Sequence, residues 1–159
     1  MSEKTPTLKP FLVGHDHVPA GLKGAVLAIG NFDGVHKGHR AVIAAAQRRA
    51  ASLRRPAVAL TFSPHPRQFF QPAMPLFRLS DGEARLRLLA ATGLDGAIVM
   101  TFDAALASTA AEDFIDNILV GRFGIVGATI GFDFHFGKNR GGSPAFLKEW
   151  GERLGFAVD

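Results

Sequence analysis

Short unbroken apolar runs alternate along this chain with longer stretches in which apolar side chains recur every three or four positions. Ala25 to Ile29 is continuously apolar, the pattern of a strand covered on both faces. From about Gly38, Ile43, Ala46, Ala50 and Leu53 repeat at helical spacing, with Gln47, Arg48 and Arg54 on much of the other side, until Pro56 stops the helix. Ala57 to Phe62 is a second buried strand, which completes a β-α-β unit with an expected right-handed crossover. Ser80 with Glu83 three positions on is a capping-box signature, and Leu86, Leu89 and Ala90 form the buried stripe of the next helix before Gly93 closes it. Gly96 to Met100 is the third such strand. Thr109 or a neighbour opens a helix with Phe114, Ile115, Ile118 and Leu119 inward, and Ile125 to Ile130 follows as a strand whose glycines, Gly127 and the adjoining Gly131, suggest close approach of another backbone or ligand. After the Gly141-Gly142 turn, Ser143 caps and Pro144 begins a helix with Phe146, Leu147, Trp150 and Leu154 inward; Gly155 ends it and Phe156 to Val158 starts a last strand.

This order predicts an α/β domain: a doubly wound, mostly parallel, Rossmann-like sheet of about five strands with helices on both faces. A short apolar piece, Phe11 to Gly14, precedes it as an edge or lead-in strand, and His15 and His17, close to Pro19 and Gly21, read as surface loop. Residues 1 to 10, polar and with two prolines, read as a flexible leader, so the expected domain runs from 11 to 159.

Composition narrows the class. A chain of 159 residues with 47% apolar side chains suits one folded domain. Its apolar runs, such as Ala57 to Leu60 and Ala97 to Met100, fall far short of the roughly 20 residues of a membrane helix. The N-terminus lacks the apolar core of a secretory signal, and the absence of cysteine excludes disulfides and thiolate metal sites. The expectation is a cytoplasmic protein without membrane association. The net charge is +4, but Arg48, Arg49, Arg54, Arg55, Arg85 and Arg87 are scattered through helices as residues that keep a surface wet. Nucleic acid is therefore not the expected partner, and a small anionic substrate accounts equally well for the sign.

The strongest chemical signal is Gly30-Asn-Phe-Asp-Gly-Val-His-Lys-Gly-His39, directly after the first buried strand, where open α/β sheets bind their ligands. Gly34 and Gly38 leave room for a phosphate against the backbone, while the free N–H groups of the first helical turn and the helix dipole favour an anion. His36 and His39, three apart, can reach the same side of the helix start and donate hydrogen bonds to phosphate oxygens. A capping role for one histidine, or a metal shared with His65, is the alternative; no further ligand has convincing spacing, and no metal site is assigned. Neither Gly-x-x-x-x-Gly-Lys-Ser/Thr nor Gly-x-Gly-x-x-Gly after a strand occurs. Two other motifs, Thr61-Phe-Ser-Pro-His-Pro66 and Gly131-Phe-Asp-Phe-His-Phe-Gly137, follow later strands and so share the same rim of the sheet.

The segment from Phe32 to His39 resembles the His-x-Gly-His signature of the nucleotidyltransferase superfamily. Its extended form from Gly30, taken with the two other motifs, is similar to the FMN adenylyltransferase module of bacterial bifunctional riboflavin kinase/FAD synthetase, over about residues 11 to 159. The resemblance implies adenylyl transfer from ATP to FMN, giving FAD and pyrophosphate. By the same resemblance, Gly30, Asn31, Phe32, Asp33, Gly34 and Gly38 hold ATP, the catalytic His36 and His39 lie at its triphosphate, and Mg²⁺ is bound mainly through that triphosphate. Asp133 matches a nucleotide-binding position, and Phe62, His65 and Pro66 match the motif near FMN. An isoalloxazine needs an apolar, partly aromatic slot, for which Phe69, Phe70, Phe77, Phe134 and Phe136 are candidates, while Lys138 and Arg140 are candidates to meet phosphate.

The family also carries a Ser/Thr-rich, arginine-containing motif that helps hold ATP and a separate riboflavin kinase β-barrel. Neither lies within residues 11 to 159, so the expectation is a domain truncated at its C-terminal end, from a natural chain linked to a kinase domain. Transfer to another small phosphorylated acceptor, and an inactive nucleotide-binding fragment or regulatory module, stay open. Oligomeric state is not legible.

Overall fold

The structure, a computed structural model, describes residues 10–33, 37–64, 66–70, 82–132 and 134–159. In chain order its elements are β1 (Leu12–His15), β2 (Val26–Ile29), α1 (Lys37–Leu53), β3 (Ala57–Ser63), α2 (Pro66–Phe70), α3 (Gly82–Ala91), β4 (Gly96–Thr101) and α4 (Ala104–Ala107). They continue with α5 (Ala111–Asp113), which runs on as a π-helix over Phe114–Arg122, then β5 (Gly127–Ile130), a 3-10 turn (Lys138–Arg140), α6 (Pro144–Leu154) and β6 (Ala157–Val158). The strands form one parallel sheet in the order β1-β4-β3-β2-β5-β6.

Strand alternation divides the core into two layers. Val26, Ala28, Ala57, Ala59 and Ala97 face Ile43, Ala46 and Ala50 of α1 and Leu89 of α3. On this side the strands contribute mainly alanine, and the bulk comes from the helices and from Phe32. The opposite face presents Leu27, Ile29, Val58, Leu60, Ile98, Met100, Ala128 and Ile130 to Ile115, Ile118, Leu119 and Leu147. Fully burying one such Leu, Ile or Phe stabilises the fold by about 1.5–3 kcal/mol, so both layers are needed to hold the sheet.

The mostly parallel α/β sheet is as expected, and the lead-in piece is its edge strand, pairing in register with β4 from Leu12 opposite Gly96 to His15 opposite Val99, which makes six strands. Other expectations are corrected. The helix expected to open at Thr109 or a neighbour begins at Ala111 with Phe114, Ile115, Ile118 and Leu119 buried as expected, but it is largely π-helical. Ile125 is buried just ahead of its strand, which starts at Gly127. Leu53 and Leu154, counted as inward, are 42% and 38% exposed, because each sits at the last residue of its helix, where the layer beneath runs out. Arg85, counted among the surface arginines, is only 4% exposed. The two short helices α2 and α4 span too few residues to show a hydrophobic period. Residues 1–9 of the expected leader, and Ser80 of the capping box, lie outside the described residues. Where the cap of α6 was expected, the Phe146 N–H does donate to Ser143 Oγ at 3.1 Å, and Gly155 ends the helix with φ 84°.

Candidate functional site

Strand order locates the rim on which a ligand can sit. From β2 the chain passes through α1 to β3 on one side, and it returns later to place β5 on the other side of β2. The crevice beyond the carboxyl ends of β2 and β5 is therefore the switch point of the sheet, the usual ligand position in open α/β folds. Ile29 and Ile130 are register partners there, so the segments starting at Gly30 and Gly131 leave the sheet side by side.

The first segment is built around Phe32. The Gly30 N–H donates to the Leu60 carbonyl at 3.1 Å, tying the end of β2 to β3. Phe32 then takes a left-handed backbone, φ 53°, and its ring turns back into the α1 layer with no exposed surface. A side chain at Gly30 would meet that ring at about 3.3 Å, tighter than ordinary contact, so the glycine makes room for the phenylalanine. The preceding Asn31 carbonyl accepts from Thr61 Oγ1 at 3.1 Å and from Arg85 Nη1 at 3.3 Å. Among the described residues, the buried Asn31 Oδ1 has no hydrogen-bond partner.

Asp33 follows, half-buried, and α1 opens at Lys37 with Gly38 exposed and His39 half-buried. The first turn of α1 contains no acidic residue. The His39 ring meets Phe32 edge to face, centroids 5.3 Å apart. Gly34 and His36, expected between these residues, lie outside the described residues.

The other two motifs converge through an aromatic cluster. Phe62, buried near the end of β3, stacks on Phe134 with centroids 6.4 Å apart and planes at 16°. Phe102 meets Phe62, Phe69 and Phe70 at 6.2, 5.5 and 5.8 Å. Pro66 is half-buried at the start of α2, and Phe70 is 63% exposed at its end. Phe136 does not join this cluster. It is 8% exposed and packs on Phe114 and Phe146, which makes it core and not a wall of the slot. His65, Phe77 and Asp133 lie outside the described residues; the Phe134 N–H donates to the Gly131 carbonyl at 3.1 Å.

Lys138 and Arg140 are exposed on a 3-10 turn, with Arg140 Nη2 3.4 Å from His135 Nδ1. The turn is seated by Gly137, φ 79°, whose missing side chain lets Ala111 approach, and by the Lys138 N–H donating to the Thr109 carbonyl at 2.8 Å. A cavity of about 290 Å³ bordered by Asp16, Thr101, Asp103, Leu106, Thr109 and Arg122 contains none of the motif residues. Burial pushes the Asp16 carboxyl up. The Thr101 hydroxyl and N–H and the charges of Arg122 and His15 outweigh it and hold the group below its ordinary 3.8.

Three participants were missed by sequence reasoning. Arg85 carried a signal, since it lies four residues before Leu89 and hence on the buried face of α3. Thr61 was seen only as part of a motif. Phe102 offered no local signal, because it joins the cluster through contacts with Phe62, Phe69 and Phe70 that are distant in sequence.

No helix among the described residues is long and apolar enough to cross a membrane. A solved structure of a macrolide-efflux protein from Streptococcus pneumoniae shares the fold, with a TM-score of 0.78 over 94% of this chain and 50% of that one at 23% identity. In sequence, the chain is 40% identical over 141 residues to the bifunctional riboflavin kinase/FMN adenylyltransferase of Pseudomonas fluorescens, covering 86% of this chain and 44% of that protein. The enzymes of the same name from Escherichia coli K12 and Haemophilus influenzae are 35% and 36% identical, over 91% and 87% of this chain and 46% and 45% of theirs. The chain thus spans about half the length of the curated relatives it matches. With residues 18–159 matching the FAD synthetase family throughout, and with the glycine and histidine corner at the switch point of the sheet, the chain belongs to the FAD synthetase family.

Proposed function

We propose that this chain transfers the adenylyl group of ATP to FMN, giving FAD and pyrophosphate. The observation that carries the reading is the siting of the Gly30 to His39 segment at the β2/β5 switch point, in a chain of the FAD synthetase family. An oxygen of the FMN phosphate attacks the α-phosphorus of ATP, the bond from that phosphorus to the bridging oxygen of the β-phosphate breaks, and pyrophosphate leaves. The attacking phosphate is already ionised at neutral pH, so no strong general base is needed. Catalysis consists of positioning and electrostatics.

In this reading ATP enters as its magnesium complex, the metal riding on the triphosphate as part of the substrate. Gly30, Asn31, Phe32, Asp33, Gly34 and Gly38 form the nucleotide corner, with Asp133 on the nucleotide side. His36 and His39 donate to the phosphate oxygens as charge builds on pyrophosphate. The buried Asn31 Oδ1 is an acceptor suited to a donor from the nucleotide. Phe62, His65 and Pro66 stand toward FMN, and the exposed Phe70 beside Phe102 and Phe69 supplies the apolar edge an isoalloxazine requires. The reading includes a riboflavin kinase domain on the natural polypeptide, as the names and lengths of the bifunctional relatives suggest, and a cytoplasmic setting.

The test is incubation of the chain with FMN, MgATP and each other nucleoside triphosphate, with FAD and pyrophosphate measured beside His39→Ala. ATP-dependent FAD formation that drops by about 100-fold or more in the variant is expected, in line with loss of one preorganised donor to a developing anion. Near-normal FAD production by a folded His39→Ala protein would sink the assignment of that residue. Absence of FAD from the unsubstituted protein would sink the reaction.

A further inference from the structure

We propose that Arg85 is a positioning residue for adenylyl transfer, acting from beneath the site by clamping the Asn31 peptide so that Phe32 and His39 are held in place. The proposal rests on the reading of the Gly30 to His39 corner as the ATP site.

An arginine in a short amphipathic helix ordinarily sends its guanidinium to water, and arginines are among the residues least often buried. Arg87, two residues on, does so and pairs with Glu83 on the surface of α3. Arg85 instead lies on the inward face with Leu89 and is 4% exposed. Holding a cation there has a large desolvation cost that only specific hydrogen bonds offset. One of its bonds crosses from α3 to the carbonyl of Asn31, 54 residues earlier in the chain.

That carbonyl is doubly held. Thr61 Oγ1 donates to it from β3 and Arg85 Nη1 donates to it from α3, which uses both lone pairs of one oxygen and fixes the plane of the Asn31–Phe32 peptide. The next residue needs such help. Phe32 sits at φ 53°, a left-handed conformation that costs a bulky L residue about 1–2 kcal/mol and persists only where the surroundings over-determine it. Its ring is fully buried and touches the His39 ring, so a rotation of the Asn31 peptide is transmitted to the imidazole. Arg85 reaches the chemistry through this chain of contacts. Because it also adds charge and packing to the core, a purely structural role is the alternative to be separated from it.

The experiment uses the chain with Arg85→Met, Arg85→Lys and Thr61→Val, folding being checked by circular dichroism and thermal melting. Two readouts are taken: kcat and both KM values for FAD formation from MgATP and FMN, and the ring-proton NMR resonances of His39. Arg85→Met is expected to lower kcat by about 10- to 100-fold, the scale of a slight misplacement near reacting groups, with the KM for FMN within about twofold. It is also expected to shift the His39 resonances away from their ring-current position against Phe32. Arg85→Lys, which keeps a charged donor, is expected to recover most of both, and Thr61→Val to reproduce part of the loss through the same carbonyl. A folded Arg85→Met protein with unchanged kcat and unchanged His39 resonances overturns the proposal, as does Arg85→Lys no better than Arg85→Met. Should Arg85→Met not fold, Arg85→Lys and Thr61→Val decide it: wild-type His39 resonances in Thr61→Val overturn the clamp. If the unsubstituted chain forms no FAD, the proposed reaction fails, and Arg85 is then judged by the His39 resonances alone.

Discussion

Phe32 and His39 meet edge to face, ring centroids 5.3 Å apart and planes at 70°, so that a residue of the hydrophobic core directly abuts the candidate catalytic imidazole. Phe32 has no exposed surface and belongs to the same layer as Ile43 and Leu89. The packing that stabilises the sheet against α1 thereby also reaches a side chain of the Gly30 to His39 segment. The left-handed backbone at Phe32 is the local conformation that makes this double use possible.

Phe32→Leu tests the coupling. Leucine keeps most of the buried volume and loses the ring edge, so the expected stability loss is about 1–2 kcal/mol, by repacking plus the aromatic pair, measured by urea unfolding. Turnover is expected to fall by about tenfold while the KM for FMN stays unchanged, as befits a slight displacement of His39. Wild-type kcat in a stable Phe32→Leu protein would show that the contact does not orient the histidine.

Phe70→Ala addresses the acceptor side. The side chain is 63% exposed, so its loss is expected to leave stability within about 0.5 kcal/mol. If the cluster with Phe102 and Phe69 forms the edge of the flavin slot, the KM for FMN rises about five- to tenfold, roughly 1 kcal/mol of aromatic contact, and the KM for ATP does not move. An equal rise in both values would place Phe70 outside the acceptor slot.

Acid stability follows from two carboxyl groups. Asp16 is held below its ordinary 3.8 because the Thr101 hydroxyl and N–H, with Arg122 and His15, outweigh the opposing effect of burial. Asp159 is also held below 3.8, chiefly by its hydrogen bonds from Arg49 at 2.7 Å, against partial burial and with help from the Arg49 charge. A carboxyl depressed in the folded state binds fewer protons there than in the unfolded chain. Its contribution is therefore complete above 3.8 and is lost as pH falls through the lower folded value. Thermal midpoints are expected to decline from about pH 4 downward, less steeply in Asp16→Asn, which keeps a residue tolerant of its φ of 61° and loses the charge. An acid limb of unchanged steepness in that variant would remove Asp16 from the account.

What the sequence by itself determined is everything that depends on neighbours a few positions apart. Ile43, Ala46 and Ala50 repeat at the helical period and are buried on α1; Ala57 to Phe62 reads as a central strand and is one; Ser143, Pro144 and Gly155 bound α6 as their cap and turn chemistry requires. The position of the Gly30 to His39 segment, between the end of a buried strand and the start of α1, was legible for the same reason. Only the tertiary structure decided which distant groups meet. The Asn31 carbonyl is reached by Thr61 and Arg85, 30 and 54 residues away, and Phe102 closes an aromatic cluster begun at Phe62. It also decided that Phe136 packs in the core although its motif points to the rim, and that Leu154 outlies the layer its periodicity aims at. Periodicity specifies which side of an element turns inward. Where an element ends over its neighbour, and which donors meet at one carbonyl, depends on the order and register of the strands, which no local pattern contains.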